Sequence, residues 1–386
     1  MRIAVPREIA QDEARVALVP ETIKRLIAKK LQVSVESGAG AGARISDDEY
    51  RAVGATVESS ATELYAAADV VVRVNVPSEA EIAAMKDGTM LVSLLYPLVN
   101  GALVEALAKK KMSVLAADMI PRTTLAQMMD VLSSQATIAG YRAVLSAAHA
   151  LPKLFPMLMT AAGTIAPAKV LVLGAGVAGL QAIATARRLG AVVEAFDVRK
   201  VVKEQVESLG AKFIEVPSDE DAQTAGGYAK EVSEEYKKKQ AELVAKHAAK
   251  SDCVITTALI PGRRAPILLT ADQVKGMRDG SVVVDLAAEQ GGNCELTQPG
   301  ETVKVGGVTI IGERNLPSKM SVHASQMYSR NMEKLLLYVT KDGAFAWKPD
   351  DEIVRGALIV KDGDVVHAQV KQAMAAAGAG AAKGAA

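Results

Sequence analysis

The sequence predicts an α/β protein of two domains, each a largely parallel sheet flanked by helices, with a cleft between them. Three observations carry that expectation. Short apolar runs alternate with helical patterns along most of the chain. At 386 residues the chain is long for a single domain, for which roughly 100–200 residues is usual. Aromatic residues make up only 3% of a chain that is 50% hydrophobic. The core must therefore be built from Ala, Val, Leu, Ile and Met, which suits parallel strands covered on both faces.

In the first domain, residues 1–127, the runs Arg2–Val5, Gln32–Glu36, Val70–Asn75, Met90–Leu95 and Ser113–Ala117 read as strands, with helices such as Pro20–Lys30 between them. The charge-poor stretch Met128–Leu151 reads as a long helix that connects the domains and lines their cleft. The second domain, 128–322, carries strand patterns at Lys169–Leu173, Val192–Phe196, Lys212–Val216, Cys253–Thr257, Ser281–Leu286 and Val308–Ile311. A returning segment, 323–370, rejoins the first domain through a helix, His323–Tyr338. Ala357–Val360 and Val365–His367 then flank Asp362-Gly363, a hairpin signal. Residues 371–386 are rich in Ala and Gly, hold no core-forming pattern and read as a flexible tail.

One insertion departs from a plain alternation of strands and helices. Residues 217–247 are too many for a connection of about 2–6 residues and contain Gly226-Gly227-Tyr228-Ala229. The segment reads either as a mobile lid whose tyrosine closes over a ligand, or as a solvated helix, Lys230–Ala249, with a loose entry.

Composition excludes several functions. Lys and Arg total 45 against 44 Asp and Glu, a formal charge of +1, with no basic arm, so nucleic acid is not an expected partner. Cys253 and Cys294 lack metal-ligand spacing and read as buried apolar residues, so no metal site is expected. Neither a signal-peptide pattern at the start nor a membrane-length apolar run is present.

The most specific signal is VLVLGAGVAGLQAIATARRLGAVVEAFD, from Val170 to Asp197. A strand leads into Gly174, Gly176 and Gly179, which supply a tight turn, close backbone approach to a pyrophosphate and close helix–strand packing. Val177 and Ala178 open the following helix, whose free N–H groups and dipole favour phosphate charge. A second strand, Ala191–Phe196, ends at Asp197, beside Val198 and Arg199. An acid there takes the adenosine ribose hydroxyls and repels a 2′-phosphate, which selects NAD(H) over NADP(H). This is a Rossmann-like dinucleotide unit. The other glycine run, Gly38-Ala39-Gly40-Ala41-Gly42, lacks a helix start and reads as a turn.

The opening PRE…DEARVALVPETIKRL and the glycine segment resemble the two signatures of the alanine dehydrogenase/pyridine nucleotide transhydrogenase family, over nearly the whole chain. MIPRTTLAQMMDVLSSQATIAGYRAV, TAGGYAKE and TTALIPGRRAPILLT are similar to the transhydrogenase branch, and within it to the soluble NAD(H)-binding component. The resemblance implies that Arg122, Gln127 and Asp130, with Ser133 one turn later, stand beside the nicotinamide. From the residues alone, Arg122 and Asp130 read either as a charge-assisted pair or as a helix cap and an ordinary ion pair. The resemblance further implies that Gly227 and Tyr228 belong to the family's mobile loop, and that Ala258, Leu259 and Gly262 pass the bound nucleotide.

The departures are informative. Alanine dehydrogenases of this family use a lysine and a histidine to hold and protonate a keto acid; here Asn75 replaces the lysine, and Leu94 and Leu95 occupy the histidine's segment. Carbonyl reduction needs a proton at oxygen as well as hydride at carbon, whereas exchange between two nicotinamides needs only positioning. Arg15, a carboxylate binder in those dehydrogenases, is retained.

The function expected is therefore direct hydride transfer between NAD(H) on this chain and NADP(H) on a partner component. The resemblance couples that transfer to proton movement through a separate membrane-spanning component. It also implies a homodimer, peripheral on the cytoplasmic side of a bacterial inner membrane. The alternatives are an alanine dehydrogenase-like enzyme and a non-catalytic NAD(H) sensor.

Overall fold

The computed structural model describes residues 1–217, 233–260, 262–346, 348 and 350–384. In chain order its strands are β1 (Arg2–Val5), β2 (Gln32–Glu36), β3 (Thr56–Glu58), β4 (Val70–Val72), β5 (Met90–Ser93), β6 (Ser113–Ala116), β7 (Leu158–Thr160), β8 (Gly163–Ile165), β9 (Lys169–Leu173) and β10 (Val192–Phe196). There follow β11 (Lys212–Ile214), β12 (Cys253–Thr256), β13 (Val282–Asp285), β14 (Thr302–Val305), β15 (Val308–Ile311), β16 (Thr340–Lys341), β17 (Ala344–Phe345), β18 (Leu358–Lys361) and β19 (Asp364–Val365). They fall into two compact units, Met1–Gln135 with Met320–Ala386, and Ala136–Lys319.

In the first unit the sheet runs β19-β18-β6-β5-β4-β1-β2-β3. β1 to β6 are parallel, and the β18–β19 hairpin extends the edge antiparallel. Its two-residue loop places Asp362 and Gly363 at positive φ, 50° and 94°, which a tight hairpin of matching twist requires. The strands read as apolar runs because both faces are covered. Val70 and Val72 pack into one layer and Val71 into the other. The returning helix Ser321–Val339 buries Tyr328, Met332, Leu335 and Leu336 in the first of these layers.

In the second unit the order is β11-β10-β9-β12-β13-β15-β14, parallel except for the β14–β15 hairpin. Alternation along β9 sends Val170 and Val172 to one face and Leu171 and Leu173 to the other. The chain builds outward from β9 through β10 and β11, then jumps back to β12 on its other side. The carboxyl ends of β9 and β12 thus form the switch point at which open α/β sheets bind ligands.

Several expectations need correction. The helix predicted over Met128–Leu151 runs from Val131 to Ala150, because Asp130 stops the preceding turn and caps the helix. The division between units falls after Gln135 and after Lys319 rather than at 127/128 and 322/323. Gln135 is tied into the first unit, accepting from Arg15 at 2.9 Å and donating to the Ala324 carbonyl at 3.1 Å. The segment expected as a flexible tail is part of a helix, Ala368–Gly384, in which Val370 is buried and Met374 packs on the core. Alanine, the best helix former, accounts for that outcome. In the insertion 217–247, residues from Ser233 onward enter a capped helix, Glu234–Ala248, that buries Tyr236, Val244 and Ala248. Gly226, Gly227, Tyr228 and Ala229 lie outside the described residues.

Candidate functional site

The glycine turn after β9 is built as the sequence requires. Gly174 sits at φ 103°, and a Cβ there would lie 2.5 Å from Thr257 Oγ1, so both conformation and space demand glycine. Gly176 begins the helix Val177–Arg188 at its N-cap, and the nearest atom to an added Cβ is Arg199 Nη2 at 3.9 Å. That open floor is the room a pyrophosphate needs. Gly179 does a different job, since a Cβ there would fall 1.8 Å from the Gly174 carbonyl oxygen. Only a bare backbone lets the helix approach the turn so closely. The helix presents its unpaired N–H groups to this floor with no side-chain cap in the way.

Asp197 closes the site from the end of β10. Its Oδ2 accepts from the Ala175 N–H at 2.7 Å, joining the acid to the glycine turn. Arg199 takes the rest of the carboxylate, its backbone N–H and Nε reaching Oδ1 at 2.9 Å each and its Nη2 reaching Oδ2 at 2.7 Å. The bonds from Asp197 hold the Arg199 guanidinium above its ordinary pKa. Val198 packs against the core behind it.

The loop after β12 forms the opposite wall. Ala258 is partly buried, Leu259 is exposed, and Gly262 has φ 70°. Sequence reasoning missed the residue that holds this loop. Asn293 Oδ1 accepts from the Ala258 N–H at 2.9 Å, while Nδ2 donates to the Ala258 and Pro266 carbonyls at 2.8 Å each. Asn293 is itself fixed by Asp285, a fully buried carboxylate that accepts from the N–H groups of Ala287, Asn293 and Cys294 and the hydroxyls of Thr256 and Thr297. The signal was present as VVVDLAAEQGGN, but nothing in spacing alone distinguishes a loop clamp from a polar turn.

The first unit holds the other predicted residues. Leu125, Gln127 and Met128 are exposed on a short 3-10 turn anchored by buried Ala126 and Met129, and Arg122 is exposed just before it. Asn331 Nδ2 donates to the Met128 carbonyl at 2.8 Å and fixes the turn from the returning helix. Asp130 takes the capping alternative: it accepts from the Ser133 N–H at 2.9 Å and hydroxyl at 2.6 Å.

The segments that carry keto-acid chemistry in alanine dehydrogenases are closed. Asn75 Nδ2 donates to Glu8 at 3.1 Å and Glu13 at 2.9 Å. Arg15 is buried against Glu13 at 2.6 Å. Leu94 and Leu95 lie in the core. Glu8 also accepts from the Val74 N–H and faces Arg73; burial pushes its carboxyl up, against the pull of that guanidinium.

Comparison with known proteins places this arrangement. The profile described as alanine dehydrogenase/PNT, N-terminal domain, matches residues 4–139, and the corresponding C-terminal domain profile matches residues 143–368. The chain belongs to the alanine dehydrogenase/PNT family. Within the family it is 50% identical over 376 residues to an NAD(P) transhydrogenase subunit alpha polypeptide of Rhodospirillum rubrum, covering 95% of this chain and 98% of that one. A crystal structure of transhydrogenase from Sinorhizobium meliloti matches with a TM-score of 0.84 at 43% identity, covering 95% of this chain and 99% of that one. An alanine dehydrogenase of Halomonas elongata is more distant, 30% identical over 97% of this chain and 96% of its own.

Replacing Gly179 by Ala should force the helix off the Gly174 carbonyl and destabilise the second unit by about 1–3 kcal/mol, as overpacking does. Denaturant unfolding measures this directly, and an unchanged midpoint contradicts it.

Proposed function

We propose that this chain is the NAD(H)-binding component of a proton-translocating transhydrogenase. The observation that carries the nucleotide assignment is Asp197, bonded at 2.7 Å to the Ala175 N–H inside the G-x-G-x-x-G turn. It stands where the adenosine ribose of a bound dinucleotide is read. When bound, NADH supplies a hydride that passes to an oxidised nicotinamide carried by a separate NADP(H)-binding component.

The chain's own residues bind and orient. Gly174, Gly176 and Gly179, with Val177 and Ala178, cradle the pyrophosphate; Asp197, Val198 and Arg199 border the ribose; Ala258, Leu259 and Gly262 form the wall held by Asn293. Gly227 and Tyr228 are assigned to the same nucleotide by family resemblance. Asp130 and Ser133 brace the helix start, which steadies the turn carrying Gln127. With Asn75, Leu94 and Leu95 engaged or buried, those positions offer no proton donor to a keto acid. The reaction left to such a site is one of positioning.

Among the described residues no helix is long and apolar enough to cross a membrane. Proton movement is assigned to a membrane-spanning partner, with this chain peripheral on its cytoplasmic side. A homodimer is also proposed, through the β7–β8 hairpin, where Met157, Leu158 and Ile165 are exposed and Met159 is 70% exposed.

Two experiments test these assignments. Gln127→Asn shortens the exposed side chain by one methylene; NADH affinity should stay within a few-fold while transhydrogenation with the partner component falls on the order of a hundredfold. Native-rate transfer by this variant, or a loss explained wholly by weaker NADH binding, contradicts the role given to Gln127. Met159→Asp should shift the sedimenting species from dimer toward monomer, and a dimer unchanged in stability removes the hairpin from the interface.

A further inference from the structure

The carboxylate that reads the ribose is already full. An ionised carboxylate offers about four lone-pair positions. On Asp197 they are taken by the Ala175 N–H at 2.7 Å and by three donors of Arg199: backbone N–H and Nε at 2.9 Å, and Nη2 at 2.7 Å. The side chains of Arg199 and Asp197 are only 17% and 6% exposed. Arg199 Nη2 also lies 3.9 Å from where a side chain on Gly176 would begin, on the floor of the phosphate turn.

This places two opposed specificity elements at one spot. In dinucleotide-binding βαβ units an acid at the end of the second strand takes a 2′-hydroxyl, and an arginine nearby accommodates a 2′-phosphate. This chain carries both. Together Asp197 and Arg199 have no net charge, so simple repulsion by the acid is blunted by its own partner. What keeps a 2′-phosphate out is that the guanidinium's donors are committed to Asp197 in a two-pronged, charge-assisted bond, the strong form of such contacts.

We infer that Arg199 is a latent 2′-phosphate receptor held silent by Asp197, so that the pair, rather than the acid alone, sets the preference for NADH over NADPH. The inference rests on the assignment of the glycine turn to NAD(H). It has a functional logic: hydride exchange between distinct nucleotide pools requires that this component refuse the nucleotide carried by its partner. A single substitution at Asp197 would remove that refusal.

The test is direct binding of NADH and NADPH to the full chain, followed by nucleotide fluorescence, for the native protein, D197N and the double variant D197N/R199M. In D197N the amide oxygen can still accept from Ala175 while the charge that holds Arg199 is gone. NADPH affinity should rise at least tenfold in D197N and fall back toward the native level in D197N/R199M. D197S repeats the release with a shorter side chain should D197N not fold.

Equal gains in the single and double variants would mean that loss of the acid's charge suffices, and would overturn the role of Arg199. No gain in either folded single variant overturns it as well, while a native preference for NADH leaves the nucleotide site intact. A native chain that binds neither nucleotide instead sinks the site assignment on which the inference rests.

Discussion

The hydrogen bond from the Ala175 N–H to Asp197 ties the end of β10 to the turn that leaves β9, and the nucleotide site of the second unit depends on it. Without it, the acid that reads the ribose and the glycines that admit the pyrophosphate would be independent loops. With it, they share one rigid frame. The frame in turn requires that Gly179 have no side chain, because the helix can lie against the Gly174 carbonyl only over bare backbone. On the other side of β9, Thr257 Oγ1 donates to the same carbonyl at 3.0 Å, so the walls after β9 and β12 meet at one oxygen.

The first unit shows how a related scaffold loses one chemistry and keeps another. Asn75, Glu8, Glu13 and Arg15 hydrogen-bond or pair among themselves, and Leu94 and Leu95 contribute to the core. Groups so committed do not hold or protonate a keto acid. The exposed residues are elsewhere, on the turn around Gln127, which buried Ala126 and Met129 anchor from beneath. Rigid support under an exposed polar side chain is what hydride transfer between two bound nucleotides asks of a protein.

Much of the fold was legible because both sheets are buried on two faces, so strands such as β4, β9 and β13 stand out as short valine-rich runs. What escaped notice lies at the edges. β3 (Thr56–Glu58) and β14 (Thr302–Val305) have half-buried or exposed side chains and no apolar run to mark them. The β7–β8 hairpin is exposed throughout and folds back on itself, so its apolar residues answer to no core period. The Ala/Gly-rich end lacks a core pattern that would mark it as ordered, yet alanine propensity favours a helix there. Of the site, the glycines and Asp197 were legible because each performs a backbone or charge task few residue types can do. Asn293 and Asp285 were not, since their work is to bond backbone groups of a loop that only the folded chain brings near. The engagement of Arg199 with Asp197 was hidden for the same reason: its meaning lies in which lone pairs are filled.

The central claim is that hydride passes directly between two nucleotides with no proton exchanged at the reacting carbon. The most direct measurement uses NADH deuterated at the transferring C4 position, mixed with this chain, the NADP(H)-binding component and oxidised NADP. Deuterium should appear at C4 of the NADPH formed, with none released to water. NADPH formed without the label, or label recovered in the solvent, would contradict it.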